Sequence, residues 1–273
     1  MLNKNIRYRR NRFIFYLFLD YSIRDRFFLT YYYFKHLFFN SKPRNVKDNF
    51  KFNNINSFVI SLPFRSDRRK HIIKQFKNVD IPYSFFVATN GYSMNGNYKN
   101  YSTHMSQQNL SRGSLGCAIS HIRLWEKLSQ YSEDQIFLIF EDDIILCENF
   151  NKKFSKALIN LPEDFDILYL GSGSTRIQDI CYWESNNIFK AFNPRRGLYA
   201  YAITSRSARK LVKLVKPINI LYGGIDTKLG KLVRQNKILA YHIFPSLVDV
   251  NLSIASNIFN FSQRKTKQII KYQ

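Results

Sequence analysis

The stretch Ile136–Cys147, IFLIFEDDIILC, decides how the rest of the chain is read. Apolar residues from Ile136 to Phe140 run straight into Glu141, Asp142 and Asp143, and apolar residues resume at Ile144. A short β-branched and aromatic run bounded by polar residues predicts a buried strand. Three adjacent acids at its end repel one another when desolvated, which favours protonation unless a cation sits among them. Side chains alternate along a strand, so Glu141 and Asp143 are expected to face one way and Asp142 the other. That geometry offers two oxygen ligands to a hard divalent cation such as Mg2+ or Mn2+. The alternative is a strand end that turns into solvent, where the acids are harmless.

Working upstream, SRGSLGCAISHIRLWEKL places Leu115, Ala118, Ile119, Ile122, Trp125 and Leu128 at helical spacing, and Ser111 or Ser114 can cap the start. Gly113 and Gly116 allow a ligand close to the backbone at that positive helix end. His121, one turn before Trp125, reads either as a hydrogen-bonded core residue or as a catalytic one. Gly91 to Gln108 is rich in Asn, Tyr and Ser and predicts a long loop. SFVISL (57–62) predicts the first strand, stopped by Pro63, and Ser66 is placed to cap a helix with the stripe Ile72, Ile73 and Phe76. Arg65, Asp67, Arg68 and Arg69 cluster at this strand-to-helix turn, where open α/β sheets meet phosphate groups; a solvated first helical turn is the other reading. YSFFVA (83–88) is a second strand, followed by the turn Thr89, Asn90, Gly91, and the three elements make one βαβ unit.

Downstream, a helix is expected from Phe150 to Leu161, ended by Pro162, then a strand DILYLG (166–171). The following GSGS lacks the ending of a P-loop. Gly197 to Thr204 predicts a strand, and Ser205 a cap for a helix with the stripe Ala208, Leu211, Val212 and Val215. Gly223 and Gly224 form a flexible turn ahead of Asp226, and Ile238 to Phe244 is a last strand that carries His242.

With 273 residues, 45% of them hydrophobic, the chain can build a substantial core. The formal net charge of +23 predicts attraction to polyanions, while the abundance of Lys, Asn, Ile, Phe and Tyr is also what an AT-rich genome favours. Cys117, Cys147 and Cys181 are widely spaced and suggest neither a disulfide framework nor a zinc knuckle, so each reads as a small buried hydrophobe. Residues 1–50 mix Arg7, Arg9, Arg10 and Arg12 with FIFYLFL and FFLTYYYFKHLFF. Neither run is an unbroken bilayer span, and basic residues among large aromatics suit an anionic membrane surface or a packed helical extension. Lys42 to Asn56 reads as a linker, residues 57–260 as the catalytic domain, and 261–273 as a basic, frayed tail.

Together these blocks resemble glycosyltransferase family 25, which includes bacterial lipooligosaccharide galactosyltransferases and procollagen galactosyltransferases. VISLPFRSDRR followed by FFVATNG is similar to the family's strand, Arg-rich turn and Gly turn. GSLGCAISHIRLW followed by LIFEDDIIL is similar to its Gly-Cys-x-x-Ser-His helix and Glu-Asp-Asp strand. LYAYAITSRSARKL, Asp226 and a strand ending at Pro245 complete a match from about Ser57 to Leu252. The chain departs from it at Ser114, where members commonly carry Glu, and at Asn90, where they carry Asp.

The resemblance implies a GT-A-like, Rossmann-like α/β fold with a mixed central sheet. It implies a UDP-sugar donor, a Mn2+ or Mg2+ cofactor, and inverting transfer of a sugar, galactose being the family's commonest, to a glycan or glycolipid acceptor. On that reading Glu141 and Asp143 hold the metal, with His242 as a further ligand. Arg65 and Arg68 meet the diphosphate, and Asn90 and Gly91 lie near the nucleoside. Gly116, His121 and Asp142 are further donor-site candidates. Asp226 is the expected base, and Glu141 is expected to take part in the chemistry. A specific nucleic-acid partner is not expected, since no RNP-like string is present. A glycoside hydrolase is disfavoured because adjacent acids on one strand flank a bond poorly. An inactive member is the remaining alternative. The expected location is cytoplasmic, peripheral on the inner face of the membrane.

Overall fold

The computed structural model describes residues 55–254, except 78, 80, 95–97, 99, 133, 134, 172–179, 186, 192, 193, 195 and 196, and only the backbone of 180–185. The expectations for residues 1–50 and 261–273 lie outside the described residues. Among the described residues, ten strands and six helices follow one another as β1 Asn56–Ser61, α1 Ser66–Phe76, β2 Tyr83–Val87, α2 His104–Asn109, α3 Arg112–Leu128, β3 Ile136–Glu141, β4 Ile144–Leu146, α4 Phe150–Ile159, β5 Ile167–Gly171, β6 Ile180–Ser185, β7 Ile188–Ala191, β8 Ala200–Thr204, α5 Ser205–Val215, α6 Ile225–Arg234, β9 Ala240–Ile243 and β10 Val248–Val250.

Eight strands form one sheet in the order β2-β1-β3-β8-β5-β9-β7-β6, and β10 pairs with β4 in a small second sheet. β1, β2 and β3 are parallel, β8 runs antiparallel to both β3 and β5, and β9 is parallel to β5. The sheet is therefore mixed, as expected, and the domain is a Rossmann-like α/β structure. β3 is central because it can be: its apolar residues are buried on both faces, as a covered strand requires.

Alternation along β3 sorts the molecule into two cores. Phe137 and Ile139 join a core with Leu115, Ile119 and Trp125 of α3, Leu211 of α5 and Leu229 of α6. Leu138 and Phe140 join the opposite core with Ile72 and Phe76 of α1 and Phe154 and Leu158 of α4. Each fully buried large side chain of this kind contributes about 1.5–3 kcal/mol. Three layers, helix on sheet on helix, result.

Several local expectations are corrected. Ser66 is the first residue of α1 rather than its cap; Arg65 occupies that position without a side-chain capping bond. Thr204, not Ser205, caps α5 by accepting from Ser207 N. The loop from Gly91 contains the short helix α2, capped by Thr103. The linker ends earlier than read, because Ile55 is buried in the core and β1 begins at Asn56. Among the described residues no helix is long and apolar enough to cross a membrane.

Candidate functional site

Three strands deliver their carboxyl ends to one edge of the sheet. Arg65 follows β1, Thr89 to Gly91 follow β2, and Glu141 ends β3. This is where open α/β sheets bind ligands. β8 starts at the same edge, because Ala200 pairs antiparallel with Phe140 and Glu141 N donates to Tyr199 O (2.7 Å).

The acidic strand end is split between the two faces. Glu141 continues the parity of Phe137 and Ile139 and turns to α3. Its Oε1 lies 3.6 Å from His121 Nε2 and 4.0 Å from Cys117 Sγ. Asp142 turns to the other face, where Arg68 Nη1 donates to its Oδ1 (2.5 Å). Asp143 does not return to Glu141's side. The strand has ended, and its Oδ2 lies 3.0 Å from Arg68 Nη2. The expected pairing of Glu141 with Asp143 on one face is thus overturned by the turn at Asp142–Asp143. The cation expected among buried acids is the chain's own arginine. Burial alone lowers the pKa of the Arg68 guanidinium, but the carboxylates of Asp143 and Asp142 outweigh it and hold the group above its ordinary value. Arg68, Asp142 and Asp143 are all almost fully buried. α1 docks on this turn through one helical stripe, with His71 Nε2 on Ile144 O (2.7 Å) and Leu146 N donating to Gln75 Oε1 (3.0 Å). Asn251 N closes the turn from the far side by donating to Asp143 O (2.6 Å). Arg68, expected at the diphosphate, is buried and bonded to Asp142 and Asp143. Arg65 stays at the edge, half-buried, with Nε and Nη2 donating to Asp67 (2.9 and 2.7 Å).

On the α3 face, polar groups interlock inside an apolar core. Trp125 Nε1 donates to Tyr201 Oη (2.9 Å), and Tyr201 Oη lies 2.9 Å from His121 Nδ1. Burial pushes the Tyr201 phenol well above its usual pKa, so it keeps a proton to donate. The direction of the Tyr201–His121 bond follows the His121 tautomer, and Nε2 faces Glu141. Ser111 caps α3 by accepting from Ser114 N (3.1 Å). Position 114 is the third residue of that helix, where a Glu would complete a capping box. The departure at Ser114 thus falls on a helix cap.

The second turn of the edge is held by close packing. A Cβ on Gly116 would come within 2.7 Å of Gly91 N and Thr89 O, and one on Gly91 would strike Arg112 O. The backbone that approaches Gly116 is the chain's own, not a ligand's. Ser120 Oγ accepts from Thr89 N (2.8 Å) and Arg123 Nη1 donates to Thr89 Oγ1 (3.0 Å). Asn90 builds its own turn, accepting from Tyr92 N (3.0 Å) and donating to Ser93 Oγ (2.8 Å).

Asp226 reaches the edge from the first turn of α6. Gly197 N donates to its Oδ2 (3.1 Å) and Thr227 N to its Oδ1 (2.7 Å), which fixes the carboxylate at the start of β8. The preceding Gly223 has φ +81°, and a Cβ there would meet Thr227 Oγ1 at 2.2 Å. Burial raises the Cys117 thiol well above its ordinary pKa, and Glu141, Asp226 and Asp143 push it further, so these carboxylates act on one neighbourhood.

His242 belongs elsewhere. It stands in cross-strand register with Tyr169 on β5, its ring stacked on that phenol at 4.8 Å, and burial lowers its pKa to about 4. β9 lies three strands from β3, about 14 Å at the usual spacing. Among the described residues the ligand atoms that converge are those of Cys117, His121 and Glu141, not Glu141, Asp143 and His242. Of the ligands expected for Mg2+ or Mn2+, Asp143 is turned to Arg68 and His242 stands on β9, so Glu141, Asp143 and His242 as folded do not make one set for that ion. Sequence reasoning passed over Cys117 and Tyr201. Cys117 could have been found from its spacing of one helical turn before His121, whereas nothing local marks Tyr201.

The sequence matches the model of glycosyltransferase family 25 (LPS biosynthesis protein) over residues 54–226, more than half of the chain. It is 36% identical over 165 residues to the lipooligosaccharide biosynthesis protein lic2B of Haemophilus influenzae, covering 57% of this chain and 61% of that one. It is 26% identical over 234 residues to the lipooligosaccharide biosynthesis protein lex-1 of the same species, covering 71% and 75%. Procollagen galactosyltransferase 1-A of Xenopus laevis is 26% identical over 149 residues, covering 50% of this chain and 24% of that one. The chain thus spans about three fifths of lic2B and about a quarter of the procollagen enzyme. The family match contains the Arg-rich turn, the Gly-Cys-Ala-Ile-Ser-His helix, the divided acidic strand end and Asp226. This chain is a member of glycosyltransferase family 25.

Proposed function

We propose that this protein transfers a hexose, galactose, from UDP-galactose to a hydroxyl of a cell-surface glycan of the lipooligosaccharide type, with inversion at the anomeric carbon. The observation that carries the proposal is the pair of carboxylates, Glu141 and Asp226, brought by β3 and α6 to the sheet edge where β1 and β2 also end. Family membership and the lipooligosaccharide names of two bacterial relatives support the substrate classes.

In the proposed step an acceptor oxygen attacks the anomeric carbon while the bond from that carbon to the diphosphate oxygen breaks. Asp226 takes the acceptor's proton; its oxygens are already oriented by Gly197 N and Thr227 N and keep lone pairs for a further hydrogen bond. Arg65 exchanges the exposed Asp67 for the leaving diphosphate, whose oxygens suit a bidentate guanidinium. Glu141 accepts a hydrogen bond from a sugar hydroxyl. The turn at Asn90 and Gly91, seated on Gly116, borders the nucleoside. Arg68, Asp142 and Asp143 act indirectly, by holding the strand end in place. No step passes through Mn2+ or Mg2+. The net charge of +23 draws the anionic donor toward the protein.

The bond of Ser114 to Ser111 (2.8 Å) supports reading the departure there as a change of helix cap. The test is to incubate the full chain with UDP-galactose and truncated lipooligosaccharide and to measure released UDP. Acceptor-dependent release is expected; none from a folded sample, across the common UDP-sugars, would overturn the proposal. The basic, aromatic segment 1–50 is proposed to hold the enzyme peripherally on an anionic membrane at the cytoplasmic face. Reversing Arg7, Arg9, Arg10 and Arg12 to Glu should then release it from anionic vesicles in a sedimentation assay, and retained binding would refute that role.

A further inference from the structure

The α3 face of the site gathers a sulfur, a nitrogen and an oxygen that the transfer step does not use together. Cys117 and His121 are one helical turn apart on α3, and Glu141 meets them from the end of β3. Their ligand atoms all lie within 4.8 Å of one another. His121 is only 1% exposed, yet its Nε2 has no hydrogen-bond partner, since Glu141 Oε1 at 3.6 Å is beyond bonding distance.

We propose that Cys117, His121 and Glu141 form a binding site for a borderline-soft divalent cation of the zinc class, with a fourth position left open. Tetrahedral bonds of about 2.3 Å to sulfur and about 2.0–2.1 Å to nitrogen and oxygen put S and O about 3.6 Å apart, and N and O about 3.4 Å. The observed separations are 4.0 and 3.6 Å, so small side-chain rotations close the site. A mixed sulfur, nitrogen and oxygen set selects zinc over Mg2+ or Mn2+. Entry is available because the Glu141 side chain is 29% exposed while His121 closes the inner side. The carboxylates of Asp226 and Asp143, which act on Cys117 electrostatically, favour a cation there.

Binding has a defined proton balance. The Cys117 thiol releases its proton to solvent on forming the zinc–sulfur bond. Ligation through Nε2 places the His121 proton on Nδ1, which donates to Tyr201 Oη as the outer partner that ligating imidazoles commonly have.

The experiment titrates Co2+ and then Zn2+, each alone, into the reduced full-length chain. The expected result is one equivalent of Co2+ with a sulfur-to-cobalt charge-transfer band in the near ultraviolet, displaced by one equivalent of Zn2+. Cys117→Ser should abolish the band, and a Cys147→Ser, Cys181→Ser double variant should keep it. Glu141→Gln, at a partly exposed side chain, should keep the band and weaken zinc about tenfold or more. A folded wild-type chain without the band, a band that survives Cys117→Ser, or unchanged zinc affinity in Glu141→Gln would each overturn the site. None of these readings depends on turnover, so failure here leaves the transfer proposal standing.

Discussion

The two faces of the acidic strand end use the same chemistry to opposite purpose. On the α1 face Asp142 and Asp143 are buried, and the buried Arg68, distant in sequence, pairs with both. On the α3 face Glu141 is part exposed and meets an imidazole and a thiol instead of a guanidinium. A compensated, desolvated cluster is costly to disturb and serves architecture. An uncompensated carboxylate at a mouth retains capacity for substrate or metal. Three consecutive acids are thus divided by where the strand stops.

That contrast can be broken most forcefully at Arg68. Arg68→Met leaves two buried carboxylates without their guanidinium and should cost about 3–5 kcal/mol, read as a lower urea midpoint. A midpoint near wild type would mean that the triad holds nothing together. On the opposite face, Asp226→Asn should cut kcat by about 10²-fold or more while leaving UDP affinity unchanged by titration calorimetry. Equal turnover would remove Asp226 as the base. Tyr201→Phe deletes the hydroxyl between Trp125 and His121, leaving Trp125 Nε1 without an acceptor, and should destabilise by about 1–3 kcal/mol. No loss in thermal unfolding would mean that His121 is positioned by packing alone.

The smallest effect belongs to the exposed pair at the edge. The Arg65 hydrogen bond holds Asp67 down at about 2, against an ordinary 3.8. A depressed carboxylate contributes stability above its unfolded pKa and loses it as pH falls through the folded one, so the contribution fades between those two values. Asp67 is 60% exposed, so solvent limits the effect to below about 1 kcal/mol. Arg65→Gln should lower stability slightly at about pH 5 and much less at about pH 2; an equal loss at both would assign it to packing.

Much of the fold was legible because it rests on local patterns. β3, β5, β8 and β9 declare themselves as short apolar runs, and α3 and α5 as stripes at helical spacing. The hairpin β6–β7 and the pairing of β4 with β10 did not, since such short strands carry little pattern. The placement of Arg65, Asn90, Gly91, Glu141 and Asp226 at the sheet edge could be read because they end or follow strands or Gly turns. Partners chosen by tertiary packing could not: the alternation rule failed at Asp143 because the strand ended at Glu141, and Arg68 and Tyr201 found their partners across 74 and 80 residues.

The most direct measurement compares Glu141→Gln with Asp143→Asn, recording urea unfolding and acceptor-dependent UDP release for each. The account predicts that Asp143→Asn lowers the unfolding midpoint, since buried Arg68 loses part of its counter-charge, while Glu141→Gln stays near wild type in stability and loses about 10- to 100-fold in turnover. Equal destabilisation by both, with turnover preserved in Glu141→Gln, would contradict the division of the acidic strand end into a structural face and a functional one.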